Sequence, residues 1–503
     1  MRGSAVRVRV SDRVAVSVVF VAAMFMSIMD ATIVNVALPT IGRDFGVSAT
    51  SVGGISIAYL VSLAVFIPAS GWLGDRFGAK RVLLTAIAIF TLASMLCGAA
   101  TSLGALVAFR ILQGVGGGML APVGMAMLFR VFPPRERIRA ASILTVPTTL
   151  APALGPVVGG LLVSDLSWRW VFYVNVPIGL ATVIFGLLCL SPTADTSPGR
   201  FDLAGFLLSG LGFGALMYGI SEGPNLGWAT VSVLVSIASG VVLLAVMVVV
   251  ELRTSAPMVD LRLFGNRLFR ACNWVIVLNS VAFLGTLYVV ALYFQDGRGL
   301  SPLVAGLSTF PEAIGVMMGA QLASRVLYRR LGPRRHIAIG LLALGISIGL
   351  LALMGAHTNL WWARLLMFCM GLAAAQVFVP TQASAFATIT PKATGRASTM
   401  FNASRQLGGA LGVALFTTAI VLVGSTHPIS GPAGTNLTAY RVAFLLAALC
   451  CFAAIAAALR IRDADAAEAM PARRRPRPSD PDREIVAPAT ATEGLADPAQ
   501  LAK

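Results

Sequence analysis

The stretch Gly71-Trp72-Leu73-Gly74-Asp75-Arg76-Phe77-Gly78-Ala79-Lys80-Arg81 lies between two long apolar runs. Its second half, Arg76-Phe77-Gly78-Ala79-Lys80-Arg81, is echoed by Arg330-Leu331-Gly332-Pro333-Arg334-Arg335, 254 residues further on. The same offset relates Arg110 to Arg364, Gly117 to Gly371 and Gly155 to Gly409. Unrelated features sharing one offset mark an internal repeat. The two loop copies follow the second and the tenth apolar run, so equivalent positions are eight runs apart. Two six-helix halves with two further helices between them satisfy that spacing. Repeated halves packed about a midplane cavity are the architecture of secondary transporters.

A helix needs about 20 apolar residues to cross a bilayer. Fourteen such runs are legible, at 14–38, 50–71, 82–100, 105–128, 140–163, 170–190, 203–222, 230–250, 270–294, 302–324, 336–355, 361–388, 397–422 and 441–460. The first is too long for a signal peptide, contains Asp30 and has no convincing cleavage site. With the N-terminus inside, thirty-one of the 38 Lys and Arg fall in inner segments, and only Arg43, Arg169 and Arg298 fall in outer loops. That bias puts both termini in the cytoplasm. The expected organisation is an N-terminal segment 1–13, a six-helix bundle 14–190, two linker helices within 191–269, a second bundle 270–460, and a disordered tail 461–503 with Arg473, Arg474, Arg475 and Arg477 clustered.

The composition of the 503 residues agrees. Charged residues are 12%, the apolar set is 57% and mean hydropathy is +0.84. Soluble domains carry about 25% charged residues. A soluble enzyme, a disordered chain and a disulfide scaffold are therefore excluded. The net charge of +17 does not imply nucleic-acid binding, because the basic residues sit in short clusters between apolar runs, as cytoplasmic loops require. All six cysteines lie in apolar runs and no spacing resembles a metal site. Three scattered histidines, His336, His357 and His427, give no catalytic constellation.

A few polar residues inside the runs then stand out. Asp30 is a carboxylate within a span, which costs about 2.5–3.5 kcal/mol on insertion scales. Such an acid can bind a proton in one conformation and release it in another. Arg110 stays charged and needs a partner inside the membrane; bringing it to the acid or parting the two couples conformation to protonation. Gln113, one turn on, offers a donor and an acceptor. In the second half Arg364 keeps the charge, but Met367 replaces Gln113 and Leu284 replaces Asp30. Glu312, after Pro311 in span 10, is a second buried acid suited to a cationic substrate or another proton. Asp75 can pair with an arginine or face a helix N-terminus, and Gly71 and Gly78 allow close approach and a tight turn. Gly155 and Gly159 put small residues on one helix face for close packing, while Pro156 frees a backbone carbonyl. Tyr288, Asn35 and Gln376 are candidates, with Gln113, for a substrate cavity; Gln382, Asn273, Asn279 and Asn402 could also line one, and Phe283, Tyr293 and Phe378 would suit a lipophilic cargo.

These motifs resemble the major facilitator superfamily, and more narrowly its fourteen-span drug:proton antiporter family. Gly71 to Arg81 resembles the G-x-L-a-D-r-x-G-r-k loop, with Gly74 and Ala79 departing from the usual residues. Asp30 to Pro39 is similar to the first-helix signature. Arg110-Ile111-Leu112-Gln113-Gly114-Val115-Gly116 resembles R-x-x-Q-G-x-G. Gly155-Pro156-Val157-Val158-Gly159-Gly160 resembles the antiporter motif, with Ala151 where Gly is usual. Trp168 to Pro177, including Asn175, looks like the start of span 6. The resemblance implies an all-α major facilitator fold of two six-helix halves plus two central helices. It implies that Asp30 and Arg110 serve proton coupling, and that Gly71, Asp75, Arg76, Gly78 and Lys80 form a conformational latch. It also implies that Gly155, Pro156, Gly159 and Gly160 bias the protein to antiport.

No G-x-x-x-x-G-K-[ST] loop occurs, so energy should come from an ion gradient, with no cofactor. The expected activity is proton-coupled export of lipophilic, often cationic compounds across the cytoplasmic membrane by a monomer, and not catalysis. Its rivals are an exporter of a dedicated lipid, siderophore or antibiotic, and a proton symporter, against which Gly155-Pro156 and Gly159-Gly160 argue.

Overall fold

The computed structural model describes residues 11–47, 49–191, 201–254, 257–300, 302–390, 393–424 and 437–465. Most of the 1–13 segment, the arginine cluster of the tail and His427 lie outside these residues. So do the side chains of Pro156 and Asp296.

Among the described residues, fourteen helices correspond to the fourteen apolar runs. They are α1 (Asp12–Phe45), α2 (Ala49–Phe77), α3 (Ala79–Gly98), α4 (Leu103–Val131), α5 (Arg137–Asp165), α6 (Trp170–Cys189), α7 (Leu203–Leu226), α8 (Val231–Arg253), α9 (Arg267–Leu292), α10 (Pro302–Leu322), α11 (Tyr328–Leu351), α12 (Leu360–Ala385), α13 (Thr394–Val423) and α14 (Leu437–Leu459). Among the described residues, twelve stretches are long and apolar enough to cross a membrane. One of them, Val304–Leu351, covers both α10 and α11, and α5 holds only a shorter apolar stretch, Leu150–Asp165. Several helices overrun the apolar runs: α4 continues to Val131 and α2 to Phe77, carrying their last turns to the basic end of the bundle.

The repeat is visible in the backbone. Gly78 turns the chain between α2 and α3 at φ 83°, and Gly332 turns it near the start of α11 at φ 71°. That left-handed region is cheap only for glycine, which explains why this residue survives in both loop copies. Helix contacts repeat with an offset of eight. Helix α1 packs on α5, α2 on α4, and α3 on α4 and α6; likewise α9 packs on α13, α10 on α12, and α11 on α12 and α14. The two sets meet through α2 and α4 against α13, and α5 against α10 and α12. The extra helices α7 and α8 pair with each other, and α7 lies against α2 and α13 at the seam. Trp228 after α7 donates Nε1–H to Thr418 Oγ1 of α13 at 2.7 Å.

The perimeter exposes Leu187, Val242, Leu449 and many similar side chains. Water would not tolerate such a surface, but lipid does. The polar residues are turned inward, as in a multi-pass membrane protein. The end carrying the start of α1 is termed inner here, after the charge bias. Arg13 joins Glu136 at that end (2.9 Å) and Ser191 donates to Asp12 (2.6 Å).

Candidate functional site

Asp30 sits midway along α1 and is fully buried. Its Oδ2 accepts from Arg110 Nη1 of α4 at 2.6 Å. Its Oδ1 accepts from Gln113 Nε2 and from Asn175 Nδ2 of α6, each at 2.9 Å. Asn175 also donates to Ser94 Oγ of α3 (3.0 Å), and Ser94 donates to the Phe172 carbonyl (2.9 Å). Arg110, 1% exposed, gives further hydrogen bonds to Gln113 Oε1 (2.7 Å) and the Ile55 carbonyl (3.4 Å). Its guanidinium lies 4.3 Å from the centre of the Tyr59 ring. A buried ion pair survives desolvation only when its other lone pairs and protons are satisfied; here four helices supply the partners.

Helix α5 presses on this cluster. A side chain at Gly155 would strike Thr32, with Thr32 Cβ at 2.8 Å, and one at Gly159 would meet Ile33 Cγ1 at 2.9 Å. Thr32 and Ile33 follow Asp30 by two and three residues, so the glycine face of α5 sets the position of the acid-bearing turn. Gly160 faces open space. The equivalent packing recurs in the second half, where Gly409 faces Leu284. Leu284 stands at the position of Asp30, however, and among the described residues Arg364 pairs with no carboxylate: its Nε is buried without a partner there and its guanidinium lies over Trp361 at 4.8 Å.

A cavity of ≈ 180 Å³ lies between α1, α4 and α5 on one side and α9, α10, α12 and α13 on the other. Its walls are mainly apolar, including Met24, Met125, Phe283 and Phe378. Glu312 and Arg405 also line it, and neither has a hydrogen-bond or ion-pair partner among the described residues. Ile28 reaches the cavity one half-turn before Asp30. The inner side of the cavity is closed by contacts between the two sets of helices. Ser70 pairs with Thr399 (3.1 Å), Ser398 donates to the Pro122 carbonyl (2.7 Å), and Phe129 stacks on Phe386 at 4.6 Å. Arg137 donates to the Phe386 carbonyl.

The residues expected in a loop lie on helices instead, because α2 overruns its apolar run: Gly71, Asp75 and Arg76 are in the last turns of α2 and Lys80 is in the first turn of α3, with only Gly78 between the two, and the end of α2 belongs to this closure. Asp75 Oδ1 accepts from Arg130 Nη2 at 2.7 Å, and its carboxylate faces Gly395 in the first turn of α13, a favourable place for a negative charge. Gly71 abuts α13 so closely that a Cβ would lie 2.8 Å from Thr399 Oγ1. Lys80 caps the end of α6 by donating to the carbonyls of Leu187 (3.3 Å) and Leu190. Arg76 is exposed. At the opposite end Asp44 accepts from Trp168 Nε1 (2.9 Å) and Arg169 (3.3 Å). Those two bonds, Trp168 first, hold its carboxyl below the usual range.

The four residues expected in a substrate cavity lie elsewhere. Asn35 is exposed and accepts from Ser56 at 3.1 Å. Gln113 belongs to the Asp30 cluster. Gln376 is engaged by His336 (2.8 Å) and donates to the Gly319 and Leu372 carbonyls. Tyr288 is 40% exposed and does not line the cavity. Helix phase relative to a partner not yet placed decides this, and the chain alone does not contain it. Of the other polar residues in the runs, Gln382 and Asn402 do line the cavity, and Arg405 joins them. An arginine inside an apolar run was the available signal for Arg405; Ser94 and Tyr59 carried none.

Two repeated helix bundles about an apolar cavity, closed on its inner side, are the build of a membrane transporter. A family model described as the Major Facilitator Superfamily matches residues 20–413, and the chain belongs to that superfamily. It is similar to the multidrug resistance protein B homolog of Mycobacterium tuberculosis strain ATCC 25618 / H37Rv, with 32% identity over 404 residues, 79% of this chain and 74% of that one. It is also similar to the putative multidrug resistance protein MdtD of Escherichia coli O9:H4 strain HS, with 31% identity over 433 residues, 84% of this chain and 90% of that one. The fold matches the crystal structure of the human organic anion transporter MFSD10 (TETRAN) at TM-score 0.64 and 17% identity, covering 88% of this chain and all of that one. It matches the proton:xylose symporter XylE at TM-score 0.57, also with 17% identity.

Proposed function

We propose that the protein is a proton-coupled antiporter that exports lipophilic compounds across the cytoplasmic membrane, with both termini inside. The observation that carries this reading is the Asp30–Arg110 pair, fully buried at 2.6 Å and joined to the cavity through α1. Names of relatives that refer to multidrug resistance support the choice of cargo.

With the inner end closed, Asp30 is held as a carboxylate by three donors. In this inner-closed state a proton entering from the outer side neutralises Asp30 and frees it from Arg110, through a shift of α1 and α5 against α4 within the first half. Rocking of the halves then opens the inner end, the Asp30–Arg110 pair re-forms, and that proton leaves to the inside, opposite to the cargo. The cycle ties one conformational exchange to one charge change at Asp30, while the latch of Asp75 with Arg130 and of Gly71 with α13 opens and closes the inner end. The apolar cavity accepts a lipophilic body and Glu312 complements a positive charge.

A second reading is favoured by Arg405. An unpaired guanidinium in the same cavity suits a cargo with an acidic group, such as a dedicated anionic or zwitterionic product. Proteoliposomes with an imposed pH gradient separate these readings. Cationic dyes moving against the proton flux support multidrug antiport, uptake of only acidic compounds selects the dedicated cargo, and movement along the proton flux refutes antiport.

A further inference from the structure

Away from the central cavity, a groove of ≈ 300 Å³ runs along the perimeter between α9 and α14. Its inner end is rimmed by Arg267, Arg270 and Arg460. Arg267 opens α9 and Arg460 directly follows α14, so all three guanidiniums lie where helices leave the membrane. Arg270 donates once, to the Phe264 carbonyl at 2.8 Å. Arg267 and Arg460 have no side-chain partner among the described residues, and no carboxylate lines the groove. Deeper in, the lining is apolar: Trp274 and Leu278 on α9 face Ala453 and Ala456 on α14. Trp274 is 58% exposed.

The spacing makes this one continuous stripe. Residues 267, 270, 274 and 278 follow helical periodicity, as do 453, 456 and 460. At a rise of about 1.5 Å per residue the stripe extends about 16 Å from Arg267 to Leu278. Alanines on α14 make the groove floor, where larger side chains would fill it. The result is a slot with three unneutralised cations at headgroup depth and a narrow apolar trough leading toward the midplane.

From this geometry we infer that the groove is a binding site for an anionic phospholipid of the inner leaflet. The phosphodiester sits among Arg267, Arg270 and Arg460, and one acyl chain lies along Ala453, Ala456 and Leu278 beside the Trp274 ring. Charge decides the class of lipid. A zwitterionic headgroup brings its own ammonium to a site already holding three cations, whereas phosphatidylglycerol or cardiolipin brings only negative charge. Basic pockets between helices on the cytoplasmic side take such headgroups. The apolar trough decides against a soluble phosphate, because only an acyl chain fills it.

The test uses the full-length protein in detergent, titrated with phosphatidylglycerol, cardiolipin, phosphatidylethanolamine or glycerophosphate and read by native mass spectrometry. Each basic residue near an anionic surface contributes about fivefold to binding. Replacing all three (Arg267→Gln, Arg270→Gln, Arg460→Gln) should therefore lower affinity for the anionic lipids by roughly 100-fold. It should leave phosphatidylethanolamine unaffected. A control removing equal charge elsewhere on the inner face (Arg135→Gln, Arg139→Gln, Arg253→Gln) should change little. Equal losses in the two variants, equal binding of phosphatidylethanolamine, or equal binding of glycerophosphate would each overturn the inference. A photo-crosslinking residue at Ala456 in the otherwise native chain gives an independent readout. It should capture phospholipid, and capture of residues 466–503 or of a second copy of the chain would equally overturn the proposal.

Discussion

Replacing Asp30 by Asn keeps the size of the side chain and removes its charge. The carboxylate uses both oxygens: Oδ2 for Arg110, and Oδ1 for Gln113 and Asn175. An amide has only one carbonyl oxygen. Whichever way it turns, its NH2 group faces either the Arg110 guanidinium or the two side-chain amide donors. Arg110 is 1% exposed, so water does not replace the lost counter-charge. Removing one member of a buried pair costs about 3–5 kcal/mol. The expected variant inserts and folds but unfolds at lower denaturant or temperature by that amount. Removing both charges, Asp30→Asn with Arg110→Gln, should recover most of that loss, because the stranded cation is gone. Transport should respond differently. In proteoliposomes, gradient-driven cargo accumulation should vanish in both variants, while gradient-free counterflow persists in the double variant. Wild-type stability in Asp30→Asn, or gradient-driven accumulation in the double variant, would refute the reasoning.

Other consequences of the structure are open to simpler experiments. Gly71→Val puts a branched side chain where Thr399 Oγ1 would lie 2.8 Å from Cβ; overpacking of about 1–3 kcal/mol should hold the inner end open, seen as a longer spin-label distance between the inner ends of α2 and α13. Gly155→Val should push α1 away from α5 and uncouple transport, whereas Gly160→Ala, which faces open space, should behave as wild type in the same assay. Glu312→Gln should weaken export of cationic dyes and spare neutral ones, read as separate transport rates for the two dye classes. At the outer end, Asp44 carries a lowered pKa from Trp168 and Arg169, so its clamp is complete above the ordinary carboxylate value of about 3.9 and is lost as pH falls through the lowered value. Hydrogen exchange of residues 166–173 should therefore be insensitive to this group between about pH 5 and pH 8 once the intrinsic rate is removed, and faster in Asp44→Asn throughout.

The architecture was legible because it rests on local signals. Apolar runs, loop charge and a single repeat offset specified helices and their pairing, and Gly78 and Gly332 proved to share a left-handed backbone. The Asp30–Arg110 encounter was legible from the two charges themselves, since a buried acid and a buried arginine each need a partner, although Glu312, Arg364 and Arg405 show that such charges can also stay apart. The rest depended on distance across the bundle. Asp30 reads in the chain as an acid stranded in apolar surroundings, yet α3, α4 and α6 enclose it with Ser94, Gln113 and Asn175. Nothing in the 30–40 region announces Asn175, 145 residues later. The cavity was less legible still. Gln376 and Asn35 had the right chemistry, but helix rotation turned one to His336 and the other to Ser56. Arg405 and Asn402 were turned into the cavity instead.

Simultaneous recording of proton and cargo flux in sealed proteoliposomes tests the coupling most directly. With wild-type protein, adding cargo under an imposed pH gradient should start proton movement opposite to cargo movement, and Asp30→Asn should show neither gradient-driven flux. Cargo that accumulates without proton flux, or protons that travel in the same direction as the cargo, would contradict the account.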